Sequence, residues 1–259
     1  MSKTRLIAVD LDCTLLTTEK TITDFTRDTM RECRRRGILT ALSTGRSFAT
    51  SRRCAQIIEP DACVLSCGAA VYAGDKKIAR NVIEIPRANE LIEACLRVKT
   101  LKNLSVETET GLYCNSREDL AHPEFALAHY SDFSSPVDAA AICLYARLFD
   151  MQAAKEIEER FPDVAVVYFS DQYIHCFTPK GISKWAGIQV LCDYYGISAA
   201  DVTYFGDDFS DREAMMNCGV GVAMANAIDP VKEIADHVTL SSDEDGVAVW
   251  IERHIFSQA

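Results

Sequence analysis

Two hydrophobic periods share the chain. Leu6 to Val9 is apolar without a break, the mark of a short strand buried on both faces, and Asp24 to Arg36 carries helical spacing up to Gly37. The pair then repeats: Ile38 to Leu42 reads as a strand, about Ser47 to Ile57 as a helix, and Ala62 to Ser66 as a third buried strand. Gly68 to Tyr72 and a turn at Gly74-Asp75 follow. Strands alternating with helices predict a parallel sheet with right-handed crossovers.

From Ile83 to about Pro179 the pattern changes. A helix over Asn89 to Leu101 precedes strands near Leu104 to Glu107 and Leu112 to Asn115, then a polar, weakly patterned stretch up to Pro136. A strand (Ala141 to Leu148), a helix (Met151 to Phe161) and paired strands (Val164 to Phe169, Tyr173 to Phe177) complete the segment. Two similar units of this kind predict a small α+β domain inserted into the first. The first pattern resumes with a helix on Trp185, Ile188, Leu191 and Tyr195 that stops at Gly196, and a strand over Val202 to Phe205. Last come a helix (Arg212 to Cys218), a strand (Val220 to Met224), a helix with Asp229 as N-cap and Pro230 next, a strand (His237 to Leu240) and a helix from Gly246. The expected class is α/β.

Composition narrows the partners. The 259 residues are 48% hydrophobic, enough for a substantial core. Lys and Arg number 27 against 38 Asp and Glu, and the formal charge of -11 argues against nucleic acid or an anionic membrane. The one basic triplet, Arg34 to Arg36, sits at a helix end, where cations complement the dipole. Eleven cysteines are scattered singly, without Cys-x-x-Cys or zinc-ligand spacing, so they read as reduced, buried small hydrophobes. No apolar run approaches a membrane span, and no secretory leader precedes the first strand, so the expected compartment is the cytoplasm. The chain carries no signature of an oligomeric state.

The candidate chemistry lies at strand ends and helix starts. The first strand ends in Asp10 and Asp12, two acids that would repel unless a hard cation such as Mg²⁺ lay between them. Ser43-Thr44-Gly45-Arg46 offers a hydroxyl and bare backbone before a helix, an anion site or else a simple N-cap by Ser43 or Thr44. Lys184 starts a later helix, and Asp207, Ser210 and Asp211 follow another strand. In a parallel sheet the strand-end groups share one edge, where ligands bind. A metal on Asp10 and Asp207, with Lys184 and the Thr44-Gly45 amides around a phosphate, suits phosphoryl transfer.

Asp10-Leu-Asp-Cys-Thr-Leu-Leu, Ser43-Thr-Gly-Arg46, Gly181-Ile-Ser-Lys184 and Gly206-Asp-Asp-Phe-Ser-Asp211 resemble the four ordered motifs of haloacid dehalogenase-like phosphatases, in particular the Cof-type sugar-phosphatase branch. The resemblance covers nearly the whole chain. It implies a Rossmann-like parallel-sheet core from residues 1–82 and 180–259 and an α/β cap, 83–179, that selects the leaving group of a small phosphorylated metabolite. It further implies Asp10 as the nucleophile that forms an aspartyl-phosphate and Asp12 as general acid and base, with its backbone carbonyl on Mg²⁺. Thr44 and Gly45 would bind phosphoryl oxygens, Arg46 would reach the substrate, Lys184 would offset charge, Asp207 would bind Mg²⁺ and Asp211 would support the metal shell. A phosphotransferase or mutase on the same core, or a binding or regulatory protein with weak turnover, are the alternative readings.

Three positions depart from that pattern: Cys13 stands for Gly in the first motif, Cys67 for Asn after the third strand, and Ser210 for Asn in the fourth motif. Ser210 keeps a hydroxyl that can reach phosphate or metal-bound water. If the backbone at Cys13 is left-handed, its Cβ costs energy of order 1 kcal/mol, and a thiol beside the nucleophile invites oxidation.

Overall fold

The protein is described by a computed structural model over residues 4–170 and 173–258. In chain order its elements begin with β1 (Leu6–Val9), α1 (Asp24–Arg35), β2 (Leu39–Ser43), α2 (Phe48–Ile58), β3 (Ala62–Leu65), β4 (Ala70–Ala73) and β5 (Lys76–Arg80). The next stretch holds α3 (Ile85–Leu96), β6 (Leu101–Thr108), β7 (Leu112–Cys114), α4 (Arg117–Leu120), β8 (Ala128–Tyr130), β9 (Ala141–Leu148), α5 (Met151–Arg160), β10 (Val164–Tyr168) and β11 (Ile174–Pro179). The chain closes with α6 (Lys184–Tyr195), β12 (Val202–Gly206), α7 (Arg212–Asn217), β13 (Val220–Ala223), α8 (Asp229–Lys232), β14 (His237–Val238) and α9 (Gly246–His254).

The strands form two sheets. The larger runs β14-β13-β12-β1-β2-β3-β4-β5, parallel from β14 to β3, with β4 and β5 added antiparallel. β1 lies between β2 and β12 and is covered on both faces, so Leu6 to Val9 need no polar alternation and are wholly buried. The parallel expectation fails only at the edge. The turn at Gly74-Asp75 closes a β4–β5 hairpin, and a hairpin can only be antiparallel.

The smaller sheet, β10-β11-β9-β6-β7-β8, is antiparallel apart from the β7–β8 pair. Its central strands alternate between two faces over most of their length. Leu104, Val106, Leu144, Ala146, Leu148 and Phe177 pack against Leu91, Ile92 and Cys95 of α3 and Ala154 and Ile157 of α5. Residues between them, including Ser105, Glu107, Cys143, Tyr145 and Arg147, occupy the opposite face, and several of these reach the large sheet or its loops.

Several sequence expectations need correction. The helix expected over Asn89 to Leu101 spans Ile85–Leu96, because Pro86 starts it in the first turn and Leu101 already belongs to β6. The polar stretch before Pro136 contains α4, a short turn of helix at Pro123–Phe125, and β8. Asp229 is the first residue of α8, and Ile228 holds the N-cap position. Neither Ser43 nor Thr44 caps α2; Ser47 does, accepting from the Thr50 amide at 3.2 Å.

Among the described residues no disulfide joins any of the eleven cysteines, and eight of them are buried. Close approach fixes the glycine after β3. Gly68, at φ +105°, lies so near the chain before α6 that a Cβ would stand 2.0 Å from the Ser183 carbonyl oxygen. That contact ties the loop after β3 to the start of α6.

Candidate active site

The site is assembled where β1, β2 and β12 end. β1 runs into a five-residue turn, closed by the Leu16 amide on the Leu11 carbonyl at 2.8 Å. Asp10 stays extended while Cys13 is left-handed at φ 56°, so the strain expected of a side chain there is present. Cys67 is left-handed as well, at φ 57°. The Asn226 amide holds the Cys13 carbonyl at 2.7 Å, which anchors the turn from the opposite wall.

A cavity of about 600 Å³ opens over these strand ends. Asp10, Asp12, Thr44, Gly45, Arg46, Lys184, Asp207 and Ser210 all line it, so eight of the nine residues singled out in the sequence share one space. Asp211 lies behind them, fully buried. Its Oδ1 accepts from Lys184 Nζ at 2.7 Å and the Tyr204 hydroxyl at 2.5 Å. Its Oδ2 accepts from the amides of Asp207 and Asp208, both at 3.0 Å. With four donors on two oxygens, Asp211 shapes the loop and holds the lysine.

Lys184 Nζ is also 2.9 Å from Asp10 Oδ1. Burial by itself would lower the lysine pKa, but the charges of Asp10 and Asp211 outweigh it and hold the ammonium well above its ordinary value. Asp10 and Asp207 are pushed above the ordinary carboxylate range, chiefly by burial, with neighbouring negative charges adding to it. Oxygens of Asp10, Asp207 and Asp211 come within 4.8 Å of one another. Thr14 orients Asp207 by donating to its Oδ1 at 2.7 Å. Hard oxygen donors around a shortage of positive charge fit a small divalent cation of the Mg²⁺ kind.

Asp12 has a different environment. Arg46 grips its carboxylate with Nε and Nη2, each at 2.7 Å, and Lys20 adds a third contact at 2.8 Å. Although burial works to raise it, the hydrogen bonds and charge of Arg46 and Lys20 hold this carboxyl well below the usual range. Arg46 Nη1 also pairs with Glu124 at 3.0 Å, so the same guanidinium bridges to the segment between β7 and β8. Thr44 and Gly45 sit between β2 and α2. The Thr44 hydroxyl accepts from the Arg46 amide at 3.1 Å, and the Tyr145 hydroxyl donates to the Gly45 carbonyl at 2.8 Å. Ser210, in the turn after β12, reaches the cavity from the side of Asp207.

Sequence reasoning passed over Thr14, Lys20, Tyr145, Tyr204 and Asn226. Thr14 was visible as a hydroxyl inside an apolar run and Tyr204 as a phenol inside a buried strand, where each needs a partner. Asn226 lies in Val222-Ala-Met-Ala-Asn-Ala, a stretch that also resembles the sugar-phosphatase branch, whereas Lys20 and Tyr145 carry no local signal.

A family model described as haloacid dehalogenase-like hydrolase matches residues 7–251. The stress response protein YhaX of Bacillus subtilis is 27% identical, with 100% of this chain and 95% of that protein covered. The 5-amino-6-(5-phospho-D-ribitylamino)uracil phosphatase YitU of the same organism is 26% identical over 98% of both chains. Among solved structures, the subclass IIB sugar phosphatase BT4131 superposes with a TM-score of 0.83 at 21% identity, covering 96% of this chain and 98% of its own. That likeness is one of fold. Among the described residues no helix is long and apolar enough to cross a membrane.

Proposed function

The chain belongs to the haloacid dehalogenase-like hydrolase family and is a phosphoric monoester hydrolase, and we propose that it is a Mg²⁺-dependent phosphatase of small phosphorylated metabolites, sugar phosphates foremost, working through an aspartyl-phosphate. The observation that carries this reading is the ion triad at the cavity floor, where Lys184 stands 2.9 Å from Asp10 and 2.7 Å from Asp211 beside the Thr44-Gly45 turn. A relative named for a phosphate ester on a ribityl chain supports the substrate class. On this reading residues 83–179 form a cap over the site.

Asp10 attacks phosphorus, and the bond to the leaving oxygen breaks as Asp12 gives that oxygen a proton. Water, deprotonated by Asp12, then attacks the phosphorus of the aspartyl-phosphate, releasing phosphate and freeing Asp10. Thr44 and the Gly45 amide bind phosphoryl oxygens, and Lys184, 2.9 Å from Asp10, offsets charge between that carboxyl and the phosphate. Asp10, Asp207 and the Asp12 carbonyl would hold Mg²⁺, with Asp211 behind them, and the ion would offset phosphoryl charge when bound. Held by Arg46 and Lys20, Asp12 is poised as a base, so the acid half of the cycle requires both cations to release it.

The test is hydrolysis of an aryl phosphate with Mg²⁺. Turnover is expected, with loss in chelator and return on adding Mg²⁺. Asp10→Asn should abolish it while the thermal transition stays cooperative. Unchanged turnover in Asp10→Asn would sink the mechanism.

A further inference from the structure

Along β9 the face toward the large sheet carries Cys143, Tyr145 and Arg147 in succession, the intervening residues being committed to the other core. The first two are occupied. Cys143 donates to Glu107 at 3.6 Å, and Glu107 in turn holds the Phe48 amide at 3.0 Å; Tyr145 bonds the Gly45 carbonyl. Arg147 lines the cavity and is not. Its Nε is buried without a hydrogen-bond partner, and among the described residues its guanidinium enters no ion pair.

Neither of its cross-strand neighbours completes it. Asn103, opposite on β6, gives its amide to Asp119 Oδ2 at 2.6 Å, and Ile174, opposite on β11, has nothing to offer. The other arginine of the cavity, Arg46, is neutralised by Asp12 and Glu124. A desolvated guanidinium N–H without an acceptor is costly, and such groups in native proteins are generally completed by a ligand or water. A guanidinium fork matches the paired oxygens of a carboxylate or phosphate.

We propose that Arg147 is a subsite for a second anionic group, a carboxylate or phosphate, at the far end of the substrate's leaving group. The inference rests on the phosphatase reading and narrows it from phosphate esters in general to those with two anionic ends. Arg147 stands two residues beyond Tyr145, about 7 Å further along the strand, so the two ends are separated by roughly the length of a sugar chain.

Three compounds with one six-carbon chain test this: sorbitol 6-phosphate, 6-phosphogluconate and sorbitol 1,6-bisphosphate, whose far ends are hydroxymethyl, carboxylate and phosphate. Binding is measured by calorimetry in Asp10→Asn, which turns none of them over, and kcat/KM is measured in the native protein. The expected result is binding of at least one doubly anionic compound about 10-fold or more tighter than sorbitol 6-phosphate, with the better of the two identifying the anion. Arg147→Gln in the same background should bring the ratio near one, and Arg147→Lys should keep part of it, with unaltered thermal transitions showing that both variants fold. Equal binding of all three compounds, or a preference that survives Arg147→Gln, would overturn the proposal. Because the binding ratio needs no turnover, it is read separately from the aryl-phosphate assay, whose failure would count against the phosphatase reading instead.

Discussion

Replacing Asp211 by Asn keeps the shape of the side chain and removes its charge. The carboxylate now accepts from Lys184, Tyr204 and the amides of Asp207 and Asp208. An amide offers one accepting oxygen and turns an NH₂ toward whichever donors remain. Lys184, itself buried, would also lose one of its two counter-charges. Breaking one partner of a buried ion pair costs about 3–5 kcal/mol, and at about 2–4 °C per kcal/mol for a chain near this size the midpoint should fall by roughly 6 to 20 °C. Tyr204→Phe is the graded control. It removes a single bond to Oδ1 and should cost about 1 kcal/mol. Thermal unfolding of the three proteins side by side gives the answer. If Asp211→Asn were no more destabilising than Tyr204→Phe, the claim that Asp211 holds the lysine and the loop together would be wrong.

Two further perturbations address the junction between the sheets and the first turn. Burial pushes Glu107 above its ordinary 4.5, outweighing its bonds from Ser66, Phe48 and Cys143. Between 4.5 and that raised value the folded state keeps a proton that the unfolded state releases, so stability should fall as pH rises through this window. Glu107→Gln cannot titrate, and its midpoint should gain on the native protein as pH rises; a gap constant with pH would contradict the burial argument. At Cys13, φ 56° penalises any side chain, so Cys13→Gly relieves about 1 kcal/mol, partly offset by a freer unfolded chain. Its midpoint should be unchanged or slightly higher and its phosphatase activity undiminished; a severe loss of activity would give the thiol a role of its own.

What could be read from the sequence was what short segments decide alone. A strand buried on both faces, an acid one residue past its end, and a glycine before a helix are each local. They sufficed to bring Asp10, Asp12, Thr44, Gly45, Lys184 and Asp207 to one rim, because a parallel sheet aligns its strand ends without reference to side chains. The start of α3 at Ile85 has a local cause too, Pro86 in its first turn. The polar stretch around α4 and β8 had no period to read, because β8 is largely exposed and pairs only with the three residues of β7.

Protonation is where local reading stops. Asp10 and Asp12 are separated by one residue and look alike in the sequence, yet their surroundings shift them in opposite directions. Asp10 faces a lysine that arrives 174 residues later and is already shared with Asp211, so burial prevails and its pKa rises. Asp12 points the other way, into a guanidinium from the β2–α2 turn and a lysine from its own loop, and stays ionised. The Asp-x-Asp spacing thus fixes where two carboxylates stand, whereas the opposite shifts of the two come from which cations the rest of the chain brings to each. Arg46 is central to that difference, because it holds both Asp12 and Glu124, and an anion competing for its fork would release the two carboxylates together.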